Sequence, residues 1–118
     1  MIETIILNYL RNYFANTNVK VHTARPANAT MPFVLIEKTG GNVTNKIHNA
    51  TMAIQSYDST LANAASLNDS VTRAMLKMPD TIDAVVNVGL NSSYNFTDTS
   101  TKERRYQSIF VVDFYLDY

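Results

Sequence analysis

The chain has 118 residues, which predicts one domain spanning residues 1–118. Hydrophobic residues make up 46%, charged residues only 17%, and the formal net charge is +0, which disfavours a dedicated nucleic-acid binder with its usual basic excess. The absence of cysteine excludes disulfides and thiolate chemistry, and no apolar run reaches the roughly 20 residues that cross a bilayer, so we expect a soluble intracellular protein.

The first predicted elements are a helix and a short strand. Alternation of apolar and polar residues over 19–23 indicates a half-buried strand near a sheet edge. Residues 25–32 contain two prolines, which lack a backbone N–H, so they are predicted to form a loop. The helix, over residues 2–14, is predicted from an apolar stripe of Ile2, Ile5, Ile6, Tyr9, Leu10, Tyr13 and Phe14.

Residues 32–57 are predicted to form the centre of an antiparallel sheet. The run 33–39 begins with consecutive apolar residues, which indicates burial on both faces, and residues 52–57 form its partner strand. Between them, Gly40 and Gly41 are expected to adopt backbone conformations that other residues avoid. The polar run 42–51 fits either an extended β-arm or a mobile loop.

Two strands are predicted in the last third of the chain. Residues 84–90, extended towards 96, form the first, and Gly89 there suggests a bulge or bend. Residues 106–116 form the second, whose middle is apolar on both faces, so we expect each face to be covered. One of its faces carries Tyr106, Ser108, Phe110, Val112, Phe114 and Leu116. The other carries Gln107, Ile109, Val111, Asp113, Tyr115 and Asp117.

A second helix completes the predicted fold. N-cap side chains precede a helix over residues 60–78, and Pro79 and Asp80 are expected to end it. The element order is therefore α-β-β-β-α-β-β. Short polar links between strands favour a mainly antiparallel sheet, and two helices suffice to cover one face of it. We predict a two-layer α+β domain with the helices packed on one face.

No motif predicts catalysis, a cofactor or a metal site. His22 and His48 lack the spacing of metal ligands, and Gly40 with Gly41 lacks the Gly-Lys-Ser/Thr ending of a phosphate-binding loop. We therefore expect a protein that is not an enzyme and binds no cofactor. Two alternatives stay open: a ligand-binding module near Gly40 and Gly41, and a hydrolase whose carboxylates meet in space.

One basic cluster stands out, formed by Lys102, Arg104 and Arg105, and Arg25 is a candidate fourth member. Short charge clusters are commonly solvated surface features with salt-bridge partners. The functional interpretation is a basic rim that meets a phosphate backbone or an acidic partner. These four residues are the candidate contacts with a partner.

Five features occur in a distinctive order over most of the chain. They are the apolar N-terminal helix with residues 19–23, the strand 32–41, residues 52–59, the alanine-rich helix 61–74, and a final strand ending in Asp113-Phe114-Tyr115-Leu116. In this order the chain resembles the small tail terminator proteins, also called tail completion or head-to-tail joining proteins, of long-tailed bacteriophages. The small neck adaptors of the same viruses are similar, and a head-tail neck adaptor is the alternative.

The resemblance implies a hexameric ring that caps the tail tube, stops its polymerisation and provides a surface for head joining. The implied partners are further copies of the chain, the tail tube protein and head-tail connector proteins, with no membrane involved. The implied locations are the bacterial host cytoplasm during assembly and the head-tail junction of the virion. With a net charge of +0, self-association meets little electrostatic resistance. We further expect residues 42–51 to form an arm that reaches a neighbour and becomes ordered only on assembly, and the basic cluster to line a lumen through which DNA passes.

Overall fold

A computed structural model of the chain describes residues 1–115. The observed order α-β-β-β-α-β-β is the predicted one, and the α+β class is confirmed. Leu116 and Asp117, which were assigned to the two faces of the last strand, lie outside the described residues. The elements are α1 (Ile2–Tyr13), β1 (Lys20–His22), β2 (Phe33–Thr44), β3 (Ile47–Asp58), α2 (Leu61–Thr81), β4 (Val85–Asn95) and β5 (Arg104–Tyr115).

The five strands form one sheet in the order β1-β2-β3-β5-β4. β1 runs parallel to β2, whereas the pairs β2–β3, β3–β5 and β4–β5 are antiparallel, so the sheet is mainly antiparallel as predicted. β1 pairs only with residues 33–35 of β2 and lies at one edge, which the short 19–23 pattern indicated. β4 forms the other edge.

Both helices pack on the same face of the sheet. α1 contacts β1 and β2, while α2 contacts β3, β4 and β5. The two helices also meet each other, where the Tyr9 hydroxyl donates to the Ala74 carbonyl at 2.6 Å. Because side chains alternate along each strand, this face takes every second residue into the core. Its fully buried members include Ile6, Leu10, Ile54, Val71, Ala74, Met75, Met78, Phe110 and Val112.

The sequence predicts the start of α2 correctly but not its end. Its start is as expected, because the Thr60 side chain accepts a hydrogen bond from the Asn63 backbone N–H at 3.1 Å. The expected end at Pro79 and Asp80 is wrong, because the helix continues to Thr81. A proline so near the C-terminus removes only one intrahelical hydrogen bond. The backbone N–H of Ile82 still reaches the Met78 carbonyl at 2.9 Å, which closes the last turn.

β2 and β3 form one long hairpin that includes the polar run 42–51. Asn45 and Lys46 connect the strands with φ angles of 51° and 65°. Positive φ at both central residues is the signature of a type I′ turn, whose twist matches that of paired strands. Of the two interpretations of residues 42–51, the extended β-arm is therefore the one that the structure shows. The expectation that this arm becomes ordered only on assembly is wrong, because its strands are already paired in the single chain.

The two glycines of this hairpin lie within β2, and neither has a positive φ. The expectation that they adopt conformations closed to other residues is wrong, because both pair with β3 as strand residues, Gly40 directly after a register shift at Thr39. Gly41 is needed for a different reason. A Cβ there would lie 2.6 Å from the backbone oxygen of Asn49 on the paired strand, so only glycine permits this approach.

The predicted irregularity of β4 lies beside Gly89 rather than at it. The register of β4 against β5 shifts between Val85 and Asn87 and again between Leu90 and Ser92. Gly89 itself stays paired with Val111. The two shifts bend the outer strand at both sides of the glycine, which is what bulges do at sheet edges.

Candidate functional site

The sheet face opposite the helices, which we call the open face, carries the second side of β5. Ile109 and Val111 are partly exposed there and Tyr115 is 49% exposed, whereas Phe110 and Val112 on the helix side are fully buried. No helix among residues 1–115 packs on the open face. We expected both faces of this strand to be covered. Within residues 1–115 the helices cover one face of β5, and the other face stays partly exposed.

One end of the open face is closed by what we call the arginine–aromatic cluster, formed by Arg25, Phe33, Tyr57, Phe96 and Arg105. Phe33 and Tyr57 are paired across β2 and β3, and their rings stack with centroids 4.3 Å apart. The Arg25 guanidinium lies 5.5 Å from each of these two centroids. The Arg105 guanidinium lies 5.6 Å from the Tyr57 centroid and 4.4 Å from that of Phe96. Cations in such positions are attracted by the ring faces.

A row of hydrogen bonds leads from this cluster across three strands. Arg105 donates to the Tyr57 hydroxyl at 2.8 Å, and that hydroxyl donates to Gln55 at 3.3 Å. The Gln55 amide donates to Gln107 at 2.8 Å, and the Gln107 amide donates to the Tyr94 hydroxyl. Both glutamines are buried, so these bonds satisfy polar groups that have little access to water. The row holds the polar end of the open face in one arrangement.

A bidentate salt bridge ties the loop before β2 to the start of β5. Two nitrogens of the Arg25 guanidinium donate to the two Glu103 carboxylate oxygens at 2.7 and 2.5 Å. The hydrogen bond from Arg25 lowers the pKa of Glu103, and the same bond raises the pKa of Arg25. The side chains are 42% and 25% exposed, so solvent screens the pair. We expect it to contribute less than about 1 kcal/mol.

The structure brings two of the four candidate basic residues together. Arg25 and Arg105 both lie against Tyr57, and each already has partners in the chain. Arg105 also donates to the Phe96 carbonyl at 2.6 Å. These contacts support the salt-bridge interpretation for Arg25 and add a structural role for Arg105.

The other two basic residues point to solvent. Lys102 has a φ of 60° and sits in the turn before β5, and Arg104 is the first residue of that strand. Both are exposed, and neither side chain has a hydrogen bond or ion pair within residues 1–115. Lys102 and Arg104 are therefore the members of the cluster whose charge is available to a partner.

Sequence reasoning missed several residues of this site. Glu103 lies between two basic residues, and strand alternation alone would have placed it on the same side as Arg105. Gln55 and Gln107 carry no sequence signal of their own, because their role depends on strands β3 and β5 lying side by side with these two residues opposite each other.

The carboxylates of Asp98 and Asp113 accept hydrogen bonds from nearby groups of the chain and so stabilise local structure. The Asp98 carboxylate accepts from the Ser100 hydroxyl at 2.7 Å and from the backbone N–H groups of Ser100 and Thr101, which lowers the pKa of Asp98 to about 2. Asp113 accepts from the Asn49 amide at 2.8 Å on the open face. Among residues 1–115 no group of three or more His, Asp or Glu side chains could hold a metal ion.

The neighbourhood of Gly40 and Gly41 bears on the ligand-binding alternative. The hollow beside Gly41 has a volume of about 160 Å³, below the range of about 300–1,000 Å³ typical of small-molecule sites. It is lined mostly by exposed residues, including Lys38 and Val43, together with His48, whose ring stacks on Phe114 at 4.9 Å. The hollow is a surface groove rather than a deep apolar pocket.

No protein-family model matches this chain, and no curated protein matches it. None of the described helices is both long and apolar enough to span a bilayer. The function is therefore inferred from the surfaces of the chain and from the resemblance that its order of elements carries.

Proposed function

We propose that this chain is a non-enzymatic virion assembly protein of a phage or prophage. Copies of it form a ring on the end of the tail tube, stop further polymerisation and present a surface for head joining. The observation that carries the proposal is the uncovered side of β5. Ile109, Val111 and Tyr115 lie there beneath no described element, on a chain whose net charge is +0.

The physical requirement for a terminator suits a two-layer domain. Such a protein binds the last ring of the tube with one surface, and its opposite surface does not bind a further ring of tube protein. A contact between two different patches of identical chains closes into a ring when the rotation between neighbours allows it. Helices cover one face of this sheet, which leaves the open face to ring neighbours or to the tube.

The tip of the long hairpin is the proposed arm. Residues 39–46 are all exposed, and Val43 keeps 52% of its surface accessible at the tip. The chain measures 43 Å along its longest axis against 29 and 25 Å along the others. We propose that this arm, already formed as paired strands, lies against a neighbour in the ring.

The candidate basic contacts take different parts in this proposal. Lys102 and Arg104 are exposed and unpaired within the described chain, so they are the first candidates to meet DNA in the lumen or an acidic partner. Arg25 and Arg105 fix the end of the open face beside them. A phosphate contact of this kind would weaken steeply as the salt concentration rises.

The test is electron microscopy of particles assembled without this protein. We expect tails that are overlong or not joined to heads, and restoration of normal particles when the wild-type protein is supplied. Heads that leak DNA beside tails of normal length would instead indicate the neck adaptor. Normal, complete particles without this protein would contradict both assignments.

A further inference from the structure

The sheet has two free edges, and one of them, β4, carries neither a charge nor a proline. An edge strand presents a row of unpaired N–H and C=O groups, and natural proteins normally guard it with charges, proline or bulges. β4 is 11 residues long, Val85–Asn95. It has two register shifts, but residues 87–90 between them pair with β5 in continuous register. Its exposed apolar side chains include Val86 and Leu90, each 42% accessible, and Tyr94 at 40%.

The second free edge lies on β2. β1 covers only residues 33–35, so residues 36–44 have no strand on their outer side within the described chain. This stretch contains Glu37 and Lys38, whose charges balance each other, and otherwise only uncharged residues. An uncharged strand such as β4 would meet no net charge there.

Two glycines mark these edges. A Cβ built on Gly40 of β2 or on Gly89 of β4 would meet nothing within 4 Å, and neither residue has a positive φ. Glycine inside a strand costs about 0.5–1 kcal/mol relative to alanine. Neither a positive φ nor crowding within the chain requires glycine at these positions, although both glycines lie close to register shifts of their strands, where glycine is common. Glycine in a strand also marks places where another backbone approaches closely, and here one such glycine lies on each free edge.

We propose that the free edge of β4 pairs with residues 36–44 of β2 in a second copy of this chain, so that the sheet continues from copy to copy. Backbone N–H and C=O groups in a row are satisfied by another strand. Joining two different edges leaves one edge of each kind free at every step, so the contact repeats until it closes. The choice of β2 rather than β4 as the partner rests on the proposed ring, because pairing of β4 with β4 stops at a dimer.

The chain contains no cysteine, which makes cross-linking specific. We would prepare Gly40→Cys and Gly89→Cys as separate variants. The space around both positions is open, so both should fold, which circular dichroism and thermal melting check. Each variant alone, their mixture and the Gly40→Cys/Gly89→Cys double variant are then treated with a short flexible bismaleimide and weighed by mass spectrometry.

We expect a dimer in the mixture at least tenfold more abundant than in either variant alone. The double variant should give a ladder that ends at the number of copies in the ring. A Gly89→Cys dimer as abundant as the mixed one would overturn the proposal in favour of β4–β4 pairing. Large wild-type assemblies with no edge cross-link would overturn edge pairing and leave the proposed function standing. A ladder without an upper limit would support edge pairing and contradict the ring.

Lysines on β4 provide the second measurement. Val86→Lys/Leu90→Lys adds charge to the β4 edge, and Leu76→Lys on α2, a residue 47% exposed, adds charge elsewhere. We expect the β4 lysines to weaken association at least tenfold and the α2 lysine to leave it within twofold of wild type. Equal association of all three proteins would overturn edge pairing, as would a wild-type chain that stays monomeric and uncross-linked at every concentration.

Discussion

Phe33 and Tyr57 stack with their ring centroids 4.3 Å apart on the sheet face that the helices leave open. Their exposures are only 0% and 2%, although neither belongs to the main core cluster between sheet and helices. Arg25 lies over the Phe33 ring and Arg105 over the Tyr57 ring, so these side chains cover the rings where no helix packs. The open face is thus sealed at this end, whereas the side of β5 around Val111 stays accessible.

This second buried layer makes Phe33 important for stability. Phe33→Ala should lower the free energy of unfolding by about 3–5 kcal/mol, because it removes a fully buried aromatic ring and leaves a cavity beside Tyr57. Urea denaturation measures the change. Leu76→Ala, at a residue of α2 that is 47% exposed and outside the proposed contacts, is the control and should stay within about 0.5 kcal/mol of wild type. A loss below about 1 kcal/mol for Phe33→Ala would show that the stack is not formed in solution.

The Arg25–Glu103 pair predicts a small pH dependence. Because Arg25 lowers the pKa of Glu103 in the folded state, the pair stabilises the fold above the ordinary glutamate pKa of about 4.3. That stability is lost as the pH falls through the lower folded value. Glu103→Gln should therefore be less stable than wild type at pH 7, by less than about 1 kcal/mol because the pair is exposed, and the gap should close in acid.

Thermal melting between pH 7 and pH 3 at low salt would measure the difference in stability between the wild-type protein and Glu103→Gln. Asp69→Asn is a matched control, since Asp69 is exposed on α2 and makes no ion pair within residues 1–115. A gap for Glu103→Gln that stays constant through the acid range would show that the salt bridge contributes nothing.

A buried polar contact joins α2 to the outer strands. The Asn68 amide donates to the Ser93 hydroxyl at 2.8 Å, and its oxygen accepts from the Ser108 hydroxyl at 2.6 Å. Asn68 is 3% exposed, so Asn68→Ala should cost about 0.5–1.5 kcal/mol for each of its two hydrogen bonds, while the buried Ser108 hydroxyl keeps the Ser93 hydroxyl as a partner at 3.1 Å. Asn63→Ala, at an exposed position of the same helix, is the control in chemical denaturation. Equal effects of the two substitutions would contradict the buried contact.

The turn of the arm predicts a stabilising change. Lys46 has a φ of 65°, which costs an L residue energy that glycine avoids, and Asn-Gly is a preferred type I′ pair. Lys46→Gly should therefore raise the melting temperature slightly, equivalent to a gain of up to about 1 kcal/mol. Thr44→Gly, within the adjacent strand, should lower it. A lower melting temperature for Lys46→Gly would show that this turn is not the one formed.

The local elements were predictable because their patterns are strong. The stripe from Ile2 to Phe14 marks α1, and the alternating apolar residues of β5 mark a strand that is buried on the helix side. β2 is longer than predicted, because residues 40–44 contain a single apolar residue, Val43, and show no apolar alternation, yet they pair with β3 through the backbone. Backbone pairing of this kind leaves no trace in a hydrophobic pattern.

The open face was less predictable because its contacts join distant parts of the chain. Arg25 and Glu103 are 78 residues apart in sequence, so the pair exists only once β2 and β5 are placed beside β3. The same is true of Tyr57 and Arg105, which face each other in the register between β3 and β5. The basic residues themselves were visible in the sequence, but which of them are occupied within the chain was not.

The most direct test of the central proposal is the mass of the wild-type protein in solution. Native mass spectrometry and sedimentation over a concentration series would measure it, alone and with purified tail tubes. We expect one closed assembly of fixed copy number, formed alone or on the tube end, with the exposed Tyr115 side chain of β5 protected from hydroxyl-radical labelling. A chain that stays monomeric at high concentration and binds no tail tube would contradict the account.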